Sequence, residues 1–587
     1  MRKDQHNLEE HFWIDSGGVP FFVCVHRAGG EKAKRGAFVM CPPFGEEKNK
    51  SQRLYVELAR NLAACGFDVV RPDHSCTGDS PGSFEKSSIQ TWRHNVQEAI
   101  RFCRNEDPDQ PIGLLGLRFG AAMAATVAEL DPEIKWLILL APIADVPAFF
   151  RRTLRSKLVK EMMTSGHVSS RRQQLEKDAE SRTIDMDGFA VTPSLYSEIS
   201  AFEVCGRIKG FKGAILIVHA SKNPRLTTDE KLLRDTYRTF NRNVSLVEVK
   251  AEPYWNVHGV PSFDGIIEAV VKWTSRKCHV RRWKGVAGVA RDHRNEPLLV
   301  CVDRVGAGDG HEQIAKIDLP GGFLSGIVHV PDGWGGDKSG NAVVMVHGWA
   351  GYRIGPHQML VAAAREFCRK GWLCLRIDAR GRGNSSGQVE ATDILSMRED
   401  AVYAVNFVRE KFRADKVVAL GQCRGGNAVL GAEEADGFVV WSAPPIDESL
   451  VSKVRKTRFM LQNYVAKAGS ADTWWKLARG ELNYALIIEA VLGHFKWGVT
   501  PKGSGVSELK GAGLAGKRTL MIYGENDPDT EPAEKSLMEF CSRTSLVAEF
   551  YTIPGANHSF YSLAWKKEVI DLTAKWLARY FKSPRND

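Results

Sequence analysis

Gly421-Gln422-Cys423-Arg424-Gly425-Gly426 follows the apolar run Val417-Val418-Ala419-Leu420 and opens a stretch of small residues. A strand, a sharp turn and a helix start hold the central side chain of such a G-x-Nuc-x-G segment out at the top of a sheet. Only small neighbours let strand and helix come that close. The same layout stands 305 positions earlier, in Leu114-Leu115-Gly116-Leu117-Arg118-Phe119-Gly120-Ala121, with arginine in the central slot. Gly66 and Gly371, Asp73 and Asp378, and Gly78 and Gly383 keep that offset. Several punctuating residues repeated at one spacing mark an internal duplication, with a nucleophile in one half only.

The 587 residues exceed the size, about 250–300 residues, at which a single core stops growing. We expect domains over 1–285 and 296–587 with a linker at 286–295. Hydrophobic content of 43% and charged content of 26% are those of ordinary soluble protein. The net charge of +10 is scattered, and the densest basic stretch, Arg276-Lys277-Cys278-His279-Val280-Arg281-Arg282-Trp283-Lys284, falls between the repeats. It reads as a solvated linker, with attraction to an anionic membrane surface as the sharper alternative; no nucleic-acid partner is expected. Twelve cysteines without a C-x-x-C motif indicate neither metal ligation nor a disulfide framework. The N-terminus lacks an apolar signal core and no run of about 18 apolar residues occurs, so we expect no transmembrane segment and a reducing cytoplasm.

Short apolar runs alternate with helical stretches in both halves: Gly36–Cys41, a helix around Leu54–Cys65 and Asp68–Asp73 in the first, then Ala342–Val346, a helix ending before Gly371 and Leu373–Asp378 in the second. That alternation predicts an α/β fold, two tandem domains each with a mostly parallel twisted sheet and helices on both faces. Asn295–Arg304 and Phe323–Val330 would lead the second sheet as antiparallel strands. Long stretches at 145–208 and 446–514, rich in helix formers and aromatics, predict a helical lid inserted above the carboxyl ends of the strands. Trp474, Trp475 and Phe495 there suit either an apolar acyl group or a helix core.

A thiol at 423 sits beside a helix N-terminus, whose amides and dipole favour the thiolate. In this layout the partners follow in the order acid, then histidine. Asp527 lies in Gly524-Glu525-Asn526-Asp527-Pro528, just past the strand-like Thr519–Tyr523, and His558 in Pro554-Gly555-Ala556-Asn557-His558-Ser559-Phe560 follows the next strand. Singly, each has an ordinary explanation: a packed cysteine, an Asx turn, a surface histidine. Together and in order, they make Cys423 the candidate nucleophile, His558 the base and Asp527 its orienting acid. Gly421 and Gly425 shape the elbow, and the amides of Trp349 (in His347-Gly348-Trp349) and Arg424 are the candidate oxyanion hole. Ser385 and Ser386 follow the wrong strand and read as a structural turn. The expected ligand is a small-molecule acyl substrate, without cofactor or metal. A thioester intermediate leaves hydrolysis and acyl transfer both open, and a scaffold with two vestigial crevices is the non-enzymatic alternative.

On these motifs the second half resembles an α/β-hydrolase. Through Gly351-Tyr352-Arg353-Ile354-Gly355-Pro356-His357 and Arg376-Ile377-Asp378-Ala379-Arg380-Gly381-Arg382-Gly383-Asn384-Ser385 it is similar to the type 1 hydrolases of exosortase systems, which also use cysteine at the elbow. The first half resembles their type 2 companions through Pro42-Pro43-Phe44-Gly45-Glu46-Glu47-Lys48-Asn49-Lys50-Ser51 and Gly116–Ala121. The elbow is also similar to those of dienelactone hydrolases and polyester synthases, and the lid position to that of serine aminopeptidases. The resemblance implies the fold and a link to bacterial exopolysaccharide and surface-protein machinery, and names no substrate.

Carried back by register, the triad slots of the first half hold Arg118, Asn223 and Trp255. Arginine is neither base nor nucleophile at neutral pH. His258, three residues past the histidine slot, has no nucleophile to activate. Arg118 reads as a locally paired charge in a non-catalytic scaffold, or more sharply as a receptor for an anionic group at the helix N-terminus.

Overall fold

The computed structural model describes residues 9–29, 34–165, 172–256, 259, 261–278, 300–302, 304–306, 310–335, 340–446 and 513–581. The first nine-stranded sheet is formed by β1 (Glu9–Ser16), β2 (Val19–His26), β3 (Gly36–Cys41), β4 (Phe67–Pro72), β5 (Ile112–Leu117) and β6 (Ile134–Leu140). After a separate hairpin of β7 (Ile184–Met186) and β8 (Phe189–Val191) it is completed by β9 (Ala214–Ala220), β10 (Val244–Val249) and β11 (Val300–Val302). Its spatial order is β10-β9-β6-β5-β3-β4-β2-β1-β11. β4, β3, β5, β6, β9 and β10 pair in parallel, whereas β2, β1 and β11 are antiparallel additions. β3, β4 and β5 are buried along their whole length, as the central strands of a sheet covered on both faces must be.

The second sheet contains β12 (Arg304–Gly306), β13 (Gly310–Leu319), β14 (Gly322–Pro331), β15 (Ala342–Val346), β16 (Leu373–Ile377), β17 (Val417–Gln422), β18 (Gly437–Trp441), β19 (Arg518–Gly524) and β20 (Val547–Ile553). Its order, β12-β13-β14-β16-β15-β17-β18-β19-β20, repeats the first when read from the other edge. Buried polar pairs repeat too. Arg71 Nε donates to His26 Nε2 at 2.9 Å, and Arg376 Nε to His329 Nε2 at 2.9 Å. Asp73 binds Lys48 at 2.8 Å, and Asp378 binds Arg353, whose side chain is buried. Gly66 and Gly371 take φ of 95° and 86° one residue past their helix C-caps, the left-handed conformation glycine adopts without penalty.

Two expectations change. Of Asn295–Arg304, expected to lead the second sheet, Val300–Val302 instead pairs antiparallel with Trp13–Asp15. An edge strand with unpaired amides and carbonyls is a template for such an addition. The main division between two compact units falls after Ala315, within β13. The first insertion is also not purely helical. Between the helices Val146–Ser165, Arg172–Ser181 and Pro193–Ser200 it carries the β7–β8 hairpin, whose turn residues Asp187 and Gly188 both have positive φ, as a two-residue hairpin loop requires. Of the second insertion, 447–512 lie outside the described residues, with Trp474, Trp475 and Phe495. Among the described residues no helix is long and apolar enough to cross a membrane.

Candidate active site

β17 ends at Gln422 and a short helix, Arg424–Val429, begins two residues later. Cys423, between them, has φ 52° and ψ −129°, a region L-residues rarely occupy and one that costs on the order of 1–3 kcal/mol. Its amide donates to Trp441 O on β18 at 2.8 Å. The glycines are there for want of space. A Cβ on Gly421 would collide with Gly425 O, and one on Gly425 with His347 O. A Cβ on Gly348 would lie 3.1 Å from Cys423 Cβ, so the His347–Trp349 loop runs directly against the cysteine.

The loops after β19 and β20 bring Asp527 and His558 to this point. His558 Nδ1 donates to Asp527 Oδ2 at 2.8 Å. The carboxylate is almost fully buried, and its other oxygen accepts the Asp529 amide at 3.0 Å. The imidazole in turn is the chief group drawing the Cys423 thiol toward its charged form. Burial by itself pushes the Cys423 thiol up, but the charge and hydrogen bond of His558, then the amide and charge of Arg424, bring it below the ordinary thiol value. Burial works against charge on His558 as well; Asp527 and Cys423 outweigh it and hold the imidazole well above its usual value. The balance favours a thiolate–imidazolium pair oriented by a carboxylate.

Three further residues hold this geometry. His347 is buried, which lowers its pKa and keeps the ring neutral. Its Nδ1 donates to Gly348 O at 2.7 Å and its Nε2 accepts the Ala379 amide at 3.0 Å. Arg382 donates from Nε to Trp349 O at 2.7 Å and lies 4.3 Å over the indole. His357, whose pKa burial pushes down to about 3, donates from Nε2 to Ser559 O at 2.8 Å, one residue past His558. Ser385 and Ser386 are buried, and their hydroxyls donate to Asp378 O and to Phe323 O at 3.0 Å; they build a turn. Asp527, Asp529 and His558, and separately Glu9, His11 and Cys24, have donor atoms within 4.8 Å of one another, so these are the groups that could hold a metal among the described residues.

In the first half, Arg118 stands where Cys423 stands, with φ 56° and ψ −118°. Its Nε donates to Glu47 Oε1 at 3.3 Å, and its guanidinium lies 5.2 Å from the Phe149 ring and 4.9 Å from the Trp255 ring. Burial raises the Glu47 pKa, and Arg118 opposes that rise. Asn223 turns inward to its own loop, its Oδ1 accepting the Arg225 amide at 3.0 Å. His258 lies outside the described residues.

Two family models agree with this architecture. Residues 33–192 match the family model described as serine aminopeptidase, S33, and residues 341–430 the model described as alpha/beta hydrolase fold. The quorum-quenching protein AidA of Acinetobacter baumannii (strain MDR-ZJ06) is 36% identical over 97 residues, which are 16% of this chain and 31% of AidA; the match thus spans about a third of that relative's length. Similar solved structures include Est1E from Butyrivibrio proteoclasticus with ferulic acid bound (18% identity, TM-score 0.36, 45% of this chain and 98% of that one). Another is dienelactone hydrolase from Anabaena variabilis ATCC 29413 (17% identity, TM-score 0.30, 47% and 100%). The fold is that of the α/β hydrolases, a class of hydrolytic enzymes.

Proposed function

We propose that the second half is an acyl hydrolase acting on an ester or thioester with Cys423 as nucleophile. The thiolate attacks the acyl carbonyl; a C–S bond forms and the carbonyl electron pair moves to oxygen, facing the amides of Trp349 and Arg424. Collapse breaks the bond to the leaving alkoxide or thiolate, which takes the proton from His558. His558, now neutral, removes a proton from water as it attacks the thioester, releasing the carboxylic acid and restoring the Cys423–His558 pair. Asp527 orients the ring and stabilises its charged form.

The observation carrying this reading is the hydrogen bond from His558 to Asp527, with the same imidazole acting on the charge of the Cys423 sulfur. In the same reading the first half is a pseudoenzyme that serves as scaffold. The two halves descend from a duplication resembling the exosortase-associated type 2 and type 1 hydrolases, and the protein works in the cytoplasm. The test is release of p-nitrophenol and of free thiol from short-chain p-nitrophenyl esters and acyl thioesters. Activity in the wild type that disappears in Cys423→Ala and His558→Ala supports hydrolysis. Turnover that rises sharply with an added amine, with the amide as product, assigns acyl transfer instead, and equal rates in all three proteins refute both.

A further inference from the structure

The peptide plane that presents the Trp349 amide is pinned from several sides. In a planar trans peptide the N–H points opposite to the preceding C=O, so whatever fixes Gly348 O aims the Trp349 N–H. Gly348 O accepts from His347 Nδ1 at 2.7 Å and from the Gly351 amide at 3.0 Å. The next plane is fixed by Arg382, which donates to Trp349 O at 2.7 Å while its guanidinium covers the indole at 4.3 Å. Arg382 is 2% exposed and also donates from Nη1 to Val389 O at 3.5 Å. A buried, planar cation with a directed N–H and a stacked ring restricts both rotation of the peptide and tilt of the indole.

The first half serves as an internal control. At the 305-residue offset, His347 corresponds to Pro42, Gly348 to Pro43, Trp349 to Phe44 and Arg382 to Thr77. Thr77 donates to His74 O at 2.8 Å, and Phe44 O accepts the Glu47 amide at 3.2 Å. Neither residue reproduces the Arg382 contact. By contrast, the pairs that support the sheet, His26 with Arg71 and His329 with Arg376, persist in both halves. Among the described residues the loop clamp occurs only in the half that has a thiol at the elbow.

We infer that Arg382 is a positioning residue of the oxyanion hole: by holding the carbonyl and indole of Trp349 it fixes the loop whose amide faces the developing oxyanion. The inference rests on the acyl-hydrolase reading. It separates two rates at Cys423: alkylation by iodoacetamide, which needs the thiolate and no oxyanion hole, and acylation by p-nitrophenyl butyrate, which needs both.

Loss of a whole oxyanion donor lowers rates about 10²–10³-fold, so misplacement of one should cost about 10–100-fold. The expected result for Arg382→Ala is acylation slowed by that factor, alkylation within about threefold of wild type, and KM little changed. Arg382→Lys should recover part of the loss, and a thermal melt of each variant checks folding. Acylation unchanged in Arg382→Ala overturns the inference. So does an equal fall in both rates, in Arg382→Ala and Arg382→Lys alike, because that places the effect on the thiolate or the fold. A wild-type Cys423 that is alkylated no faster than a free thiol and never acylated refutes the underlying hydrolase reading itself.

Discussion

Arg118 and Cys423 hold the same uncommon backbone conformation, φ 56°, ψ −118° and φ 52°, ψ −129°, at the same strand-to-helix junction of two equivalent sheets. The elbow is therefore a property of the fold, set by β5 and β17 and by glycines such as Gly116 and Gly421, for which a Cβ would strike Gly120 O and Gly425 O. The side chain displayed there is a separate variable. One half displays a thiol beside an imidazole, the other a guanidinium beside a carboxylate.

That strain is measurable. At an ordinary position Gly is about 0.5–1 kcal/mol worse than Ala, but at φ 52° the Cβ is the liability. Cys423→Gly should melt at or above the temperature of Cys423→Ala. A markedly lower melting temperature for the glycine variant would contradict the strained elbow.

The thiolate at Cys423 depends on His558, the chief group opposing the upward push of burial. The pH profile of iodoacetamide alkylation should show a midpoint below the ordinary thiol value of about 8.5. In His558→Ala, burial acts without that partner and the midpoint should move upward. Coincident profiles for the two proteins would exclude the ion pair.

Asp527 holds the imidazole through a 2.8 Å bond to Nδ1. Asp527→Asn keeps the shape but loses the charge and favours the wrong tautomer, so turnover should fall about ten-thousand-fold with KM little affected. A loss under tenfold would mean that another group orients His558.

In the first half, Arg118 neutralises the Glu47 carboxylate, whose pKa burial raises. Arg118→Ala should destabilise by about 1–3 kcal/mol, the cost of leaving a buried polar group unpaired. The sign in pH follows from the direction of the shift. An acid whose folded pKa lies above its unfolded value stabilises the fold while protonated, and that contribution is lost as pH rises through the folded pKa. The melting deficit of Arg118→Ala should therefore be small below pH of about 4.3 and grow above it, with Glu47→Gln in the same background reversing most of it. A pH-independent deficit would argue against the pairing.

The sequence pattern carried the alternation of strands and helices, the elbow and the placement of Asp527 and His558 after successive strands, because these depend on local hydrophobic runs and glycine punctuation. Long-range pairing was not legible. Glu47 meets Arg118 across 71 positions, and Val300–Val302 extends the first sheet through contacts with β1 that no periodicity encodes. Arg382 and His357 stood inside the quoted motifs without a role, since neither lies next to the site in the chain. A position-by-position comparison of the two halves contains a signal for Arg382: it and His347 are replaced by Thr77 and Pro42, while the structural pair of Arg376 and His329 is retained as Arg71 and His26.

The most direct measurement is intact-protein mass spectrometry after rapid mixing with p-nitrophenyl butyrate, followed by peptide mapping of any adduct. A single butyryl group on Cys423 that accumulates within the first turnovers, decays as butyrate is released, and is absent from Cys423→Ala is the expected result. Product formation with no adduct at Cys423, or undiminished in Cys423→Ala, would contradict a thiol nucleophile at the elbow.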